Sequence, residues 1–182
     1  MKDLYSNVYK ALIISSAIAF IIGFFSNGNI SIDSYITGYS VLILAIMMIL
    51  IILFNNISKI IQEQTILQQI YMILLTTGPF VLMLAVIGFI LYLLITYRSK
   101  IIENHISQSY YSFSNITAIL LLIQLYIVYT NISTPIFEQT GKISKVTSSI
   151  IYLLGVLSTI SSIIMFTILK YFITDGFVVN QF

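Results

Sequence analysis

Residues 70–97 read IYMILLTTGPFVLMLAVIGFILYLLITY, a run without a single charged side chain. About 28 residues at ~1.5 Å of helical rise give ~42 Å, more than the ~30 Å hydrocarbon core of a bilayer. The run can therefore span a membrane with length to spare for tilt. Its one interruption is Thr76-Thr77-Gly78-Pro79. Proline has no amide hydrogen for the carbonyl of Leu75 and its ring crowds that carbonyl. A helix kink is therefore expected at Thr76, Thr77, Gly78 and Pro79. The two threonine hydroxyls can serve backbone groups loosened by the bend. The expected element is a kinked, lipid-embedded helix; the alternative is a discontinuous helix that holds an ion or substrate near mid-membrane.

The rest of the 182-residue chain resembles this run in composition. It is 59% hydrophobic and 8% charged, with a mean hydropathy of +1.04, whereas a soluble domain carries about 25% charged residues. So few charges cannot cover a water-facing surface. The fold class expected is all-α, an integral membrane helical bundle of about five transmembrane helices forming one domain over 1–182. A net charge of +2 without a basic run gives no footprint for nucleic acid. The absence of cysteine excludes disulfides, thiolate metal sites and cysteine nucleophiles. The richness in Ile, Asn, Tyr, Phe and Lys, with no Trp, suggests an AT-rich genome.

Apolar runs place the spans at about 8–25, 35–54, 70–97, 112–130 and 146–169. The first run continues through Phe25, past Ala17-Ile18-Ala19, so it reads as a retained span rather than a signal peptide. A short polar link with Asn27-Gly28 makes spans one and two an antiparallel hairpin. Residues 55–69 place Ile57, Ile60, Ile61 and Leu67 near one helical face. A short interfacial helix is expected there, the alternative being an extension of a neighbouring helix. Residues 98–115 form the most polar loop, Pro135 and Gly141 mark another, and Asp175-Gly176 in the tail 171–182 is a weak hairpin signal.

Five spans put the termini on opposite sides. Lys2, Lys10, Lys59, Lys142 and Lys145 then share one side, and Arg98, Lys100 and Lys170 the other. Positive-inside logic makes the N-terminus cytoplasmic. Four spans, or six if the TTGP break divides span three, are the alternatives.

Two stripes of small residues read as helix-packing faces. Ser15, Ala19 and Gly23 recur every four residues in span one, and Ser148, Gly155 and Ser162 every seven in span five, with Ser158 and Thr159 between. Gln124 is the one strongly polar residue inside span four. An amide there is expected to hydrogen-bond across a helix interface, the alternative being a pore lining. No span holds an interior Asp, Glu, Lys, Arg or His, the usual markers of proton relays and coupled transport. Asp33, Glu103, His105 and Asp175 would face one compartment, but their spacing matches no ligand motif. No catalytic, cofactor or metal residues are assigned. Asn29, Asn56, Asn115 and Asn131 each begin an Asn-X-Ser/Thr triplet, read as chance in a chain rich in these residues.

The segments SQSYYSFSNI, GKISKVTSSIIYLLGV and TILKYFITDG, between Ser107 and Gly176, resemble parts of small multi-span membrane proteins of nucleocytoplasmic large DNA viruses of algae and other protists. TTGPF and GFILYLLI extend the resemblance. It implies a viral membrane protein, in the membrane beneath an icosahedral capsid, and brings no site residues with it. A second comparator of similar length and composition is the five-span, organelle-encoded subunit six of respiratory complex I. That family carries a Tyr-Val-Gly-Ala-type motif in its third span, where this chain has TTGPF.

The function expected is a non-enzymatic structural or scaffolding component of a viral membrane. Its partners would be the lipid bilayer, neighbouring membrane or capsid-layer proteins and further copies of itself, with no cofactor. The alternatives are a small oligomeric channel lined by Thr76, Thr77 and Gln124, and a membrane subunit of a respiratory complex.

Overall fold

A computed structural model describes residues 2–25, 32–104 and 108–179. Their order is α1 (Lys2–Phe25), α2 (Ile32–Ile60), a 3-10 turn (Ile61–Glu63), α3 (Ile66–Thr96), α4 (Arg98–Asn104), α5 (Gln108–Ile132), α6 (Pro135–Thr140) and α7 (Lys145–Val179). The fold is all-α, with no strand among the described residues. Five of these helices are long and apolar enough to cross a membrane: Ser6–Phe25, Ile32–Ile60, Ile66–Thr96, Tyr111–Ile132 and Lys145–Tyr171. A helix suits such sequences because it satisfies every backbone group within the segment, which hydrocarbon requires.

The long helices pack in the cyclic order α1, α2, α3, α7, α5, and α2 meets α5 across the middle. Two of them carry seams of heptad spacing. In α2 the buried seam includes Tyr35, Tyr39, Leu42, Ile46, Ile49 and Leu53; in α5 it includes Tyr111, Ser114, Ala118, Leu121, Leu125 and Val128. Alternating steps of three and four hold each seam on one face of its helix, the pattern of knobs-into-holes packing. The outward faces are apolar as well: Ile14, Ile18, Ile51, Leu74, Ile119 and Leu153 are all at least half exposed. A largely apolar exterior around a packed interior is a lipid-facing surface.

Helix ends are set by local chemistry. Pro135 opens α6, where Thr134 Oγ1 accepts from the Phe137 amide at 3.4 Å, and Gly141 at φ +60° closes it. Phe137 is buried and anchors this short helix to the bundle. Gln69 Nε2 donates to the carbonyls of Ile61 and Gln64 at 3.0 and 2.8 Å, bracing the turn between α2 and α3.

Several expectations change. The TTGP sequence does not divide its helix, because α3 runs uninterrupted from Ile66 to Thr96 with Pro79 inside it. That removes the six-span alternative. Thr76 and Thr77 donate to the carbonyls of Met72 and Ile73, each at 2.7 Å, and not to the Leu75 carbonyl that Pro79 leaves without its usual amide partner. Residues 55–60 are the last turns of α2 rather than an interfacial helix, since buried Ile57 continues the packed face of α2. The polar loop after Tyr97 contains α4 and the start of α5. The backbone of α7 continues through Asp175-Gly176 to Val179 where a hairpin signal had been read; Asn180–Phe182 lie outside the described residues.

The stripe in α1 is shifted by one residue at its start. Ser15 is exposed and donates to its own helix, at Ala11 and Leu12, whereas Ser16 is buried and donates to the Gly38 carbonyl of α2 at 3.0 Å. Steps of four residues drift by about 40° each around a helix, so Ser15 has turned off the face that Ala19 and Gly23 share. In α7, Gly155, Ser158 and Ser162 are buried, and Ser148 and Thr159 are half-buried.

Glycines differ sharply in how tightly they are packed. A Cβ on Gly23 would lie 2.6 Å from the buried Tyr35 ring and one on Gly38 3.0 Å from the Phe20 ring, but one on Gly155 would lie 3.6 Å from Leu82. Gly23→Ala should therefore cost about 1–3 kcal/mol through overpacking, despite the helix propensity of alanine. Gly155→Ala should be neutral or stabilising, with thermal unfolding in detergent as the measurement. Sidedness has its own check in this cysteine-free chain. Gly141 packs on Ile60 and Asp33 bonds Arg98, so these pairs mark opposite ends of the bundle. Ser58→Cys and Thr140→Cys should react with an impermeant thiol reagent from one side of a sealed vesicle, and Ser99→Cys only from the other.

Candidate functional site

The polar chemistry of the interior converges on α5. From α1, the buried Tyr9 hydroxyl donates to the Leu125 carbonyl at 2.9 Å, and Ser6 bonds the hydroxyl of Tyr129. From α2, Tyr39 donates to the Ser114 carbonyl at 2.8 Å with the Ser114 hydroxyl 3.1 Å away, and Tyr35 donates to Asn115 Oδ1 at 3.1 Å. From α7, Ser161 Oγ lies 2.5 Å from Thr117 Oγ1 and donates to the Phe113 carbonyl at 3.2 Å. Thr147 donates to Asn131 Oδ1 at 3.2 Å. Tyrosine suits this task because its ring fills the apolar interface while its hydroxyl reaches a distant acceptor.

Aromatic contacts reinforce the same joints. The rings of Tyr9 and Tyr129 stack at 5.1 Å, and Phe20 meets Tyr39 edge-on at 4.8 Å. The Lys10 ammonium lies 5.8 Å from the Tyr129 ring centroid, within cation–π range.

Gln124 sits fully buried between α5 and α7 and donates from Nε2 to the Ile151 carbonyl at 2.9 Å. Gly155, one turn after Ile151, borders this amide, and a Cβ there would meet Nε2 at 3.7 Å, an ordinary van der Waals contact. The amide thus bridges helices, as its position predicted. Among the described residues neither its Oε1 nor Asn115 Nδ2 has a hydrogen-bond partner. The threonines named with Gln124 as a pore lining bond within α3 itself. Half-buried Gly78, two residues after buried Thr76, faces the Tyr152 hydroxyl of α7. The structure therefore brings Gly78 to the α3–α7 joint and Gln124 to the α5–α7 joint.

The four acidic and histidine residues assigned to one compartment do not form a described cluster. Among the described residues no group of three or more His, Cys, Asp or Glu could hold a metal ion. His105 and the side chains of Glu103 and Asp175 lie outside the described residues. Asp33 instead grips Arg98 with two parallel hydrogen bonds, 2.9 Å from Nε and 3.0 Å from Nη2. That carboxylate, by hydrogen bonding and then by charge, holds the Arg98 guanidinium more firmly protonated than usual. Both side chains are at least half exposed, so the pair orients the start of α4 against α2 without adding much stability. Asn115 accepts from Tyr35 through Oδ1, while Asn131 donates from Nδ2 to the Ile127 carbonyl of its own helix and accepts from Thr147 through Oδ1.

Sequence reasoning missed Tyr9, Tyr35, Tyr39, Ser16, Thr117 and Ser161. The signal was present for some: Ser158, Ser161, Ser162 and Met165 follow the three-and-four spacing of a buried face, and Tyr35 and Tyr39 lie one turn apart. Which helix would receive each hydroxyl was not readable from spacing. The chain matches no protein-family model, no curated protein and no solved structure.

The two kinds of joint should respond differently to mutation. Gln124→Leu removes one hydrogen bond together with a buried acceptor that has no partner, so the net change should stay within about 1 kcal/mol. Tyr9→Phe combined with Tyr39→Phe removes two satisfied bonds from two helix pairs and should cost about 1–3 kcal/mol. Unfolding in detergent, followed by circular dichroism, ranks them.

Proposed function

We propose that this chain is a non-enzymatic integral membrane protein with a structural or scaffolding role, and that its membrane is the inner membrane of a virus particle. The observation that carries the structural part is the commitment of interior polar groups to helix joints. Tyr9, Tyr39, Ser16, Thr117 and Ser161 are turned onto neighbouring helices. Such bonds hold a bundle in one arrangement; a conduction path would instead present polar groups to a shared axis. The viral placement rests on the resemblance of SQSYYSFSNI, GKISKVTSSIIYLLGV and TILKYFITDG. Its partners would be neighbouring membrane or capsid-layer proteins, or further copies of the chain, met through residues 98–115 and 171–182.

Two measurements test this reading. Proteomics of purified, detergent-stripped virus particles should retain the protein, and cross-linking in intact particles should join residues 98–115 or 171–182 to a capsid-layer or membrane neighbour. Purified protein in liposomes should pass no more ions than empty vesicles. Selective flux that Gln124→Leu abolishes, in a variant that still folds, would replace the scaffold with a channel.

A further inference from the structure

The end of the bundle formed by the close of α2, by α6 and by the start of α7 gathers lysines. Lys59, Lys142 and Lys145 are all exposed there. Gly141 packs on Ile60, with its Cβ position 2.8 Å from Ile60 Cδ1, so the neighbours Lys142 and Lys59 are carried at one joint. Lys145 begins α7 three residues beyond Lys142. The ion pair between described side chains, Asp33 with Arg98, lies at the opposite end of the bundle. Glu138, in α6, is the described acidic side chain of this end, and it is exposed.

The same end also exposes large apolar side chains. Ile66, Leu67, Ile136 and Val146 are each 71–80% exposed, more than most lipid-facing residues of the spans. These four sit at the first turns of α3, α6 and α7. Phe137 holds α6 to the bundle from below, so Ile136 is displayed on an anchored element. Apolar side chains beside lysines, at helix ends that border a membrane span, form a headgroup-level surface. The isoleucines, leucine and valine enter the acyl boundary while the ammonium groups reach for phosphate.

We infer that this end binds anionic phospholipid, with Lys59, Lys142 and Lys145 contacting the headgroups and Ile66, Leu67, Ile136 and Val146 the upper acyl chains. Each lysine held at an anionic surface strengthens association by about fivefold, and none of the three ammonium groups has an ion-pair partner among the described residues. The two ends of the bundle then differ: Arg98 at the other end already has its carboxylate. The site goes beyond the scaffold role and does not depend on it.

The full chain reconstituted in vesicles tests this, using spin-labelled phosphatidylglycerol and phosphatidylcholine as probes of the lipid immobilised at the protein surface. The expected result is a preference for phosphatidylglycerol of about fivefold or more at low salt, declining as added salt screens the headgroups. It should vanish in Lys59→Gln/Lys142→Gln/Lys145→Gln and persist in Lys100→Gln/Lys170→Gln, which alters the other end. Unchanged circular dichroism of both variants establishes that folding is intact. Equal association of the two lipids with the wild type, preference surviving the triple substitution, or loss in the Lys100→Gln/Lys170→Gln variant would each overturn the assignment.

Discussion

Hydrocarbon offers no partner to a hydroxyl, an amide or a peptide group, and that constraint shapes every joint in this bundle. A polar side chain inside a span must bond to its own helix or to a neighbour. Both solutions are used. Thr76, Thr77, Ser158 and Ser162 return their hydroxyls to carbonyls one turn back on their own helices. Tyr9, Tyr39, Ser16 and Gln124 reach across instead, and three of those four end at or begin on α5. The fourth span of the chain, and not the long third one, is therefore the member to which α1, α2 and α7 are all tied.

Packing explains why those reaches are feasible. Association of helices in lipid gains little from burying apolar surface, so close van der Waals contact must supply much of the attraction. Gly23 admits the Tyr35 ring and Gly38 the Phe20 ring, which brings α1 and α2 close enough for Ser16 to bond the Gly38 carbonyl. The buried tyrosines of α2 then occupy the seam between α2 and α5, with their hydroxyls at Ser114 and Asn115. Glycine and tyrosine act as a pair here: one removes volume so that the other can place a ring and a donor deep in the interface.

The ends of the bundle obey different chemistry from its middle. Water and headgroups compete for polar atoms there, so charged residues gather at helix termini. At one end Asp33 and Arg98 pair across α2 and α4. The other displays lysines beside exposed Ile136 and Val146. This asymmetry follows from chain connectivity, which delivers the close of α2 and the start of α7 to the same end.

Composition and run length were sufficient to establish the class of molecule, because an apolar helix that satisfies its own backbone is a local solution that needs no partner. For that reason the all-α architecture, its five long helices and the bridging role of Gln124 were legible in the residues. Tertiary contacts decided the rest. Spacing of four residues nominated Ser15 where Ser16 makes the contact, since drift around a helix is visible only against the neighbour it faces. Pro79 left a divided helix open as the alternative to one continuous span, and α3 continues through it, with Pro79 and Phe80 both buried in the bundle. Residues 55–60 and 171–179 looked like separate segments, yet each prolongs the helix before it. Where hydroxyls of Tyr9, Tyr39 and Ser161 would land could not be read in advance, because a hydrogen bond across helices depends on which helices become neighbours. That order, α1, α2, α3, α7, α5, is set by the sum of many weak packing contacts distant in sequence.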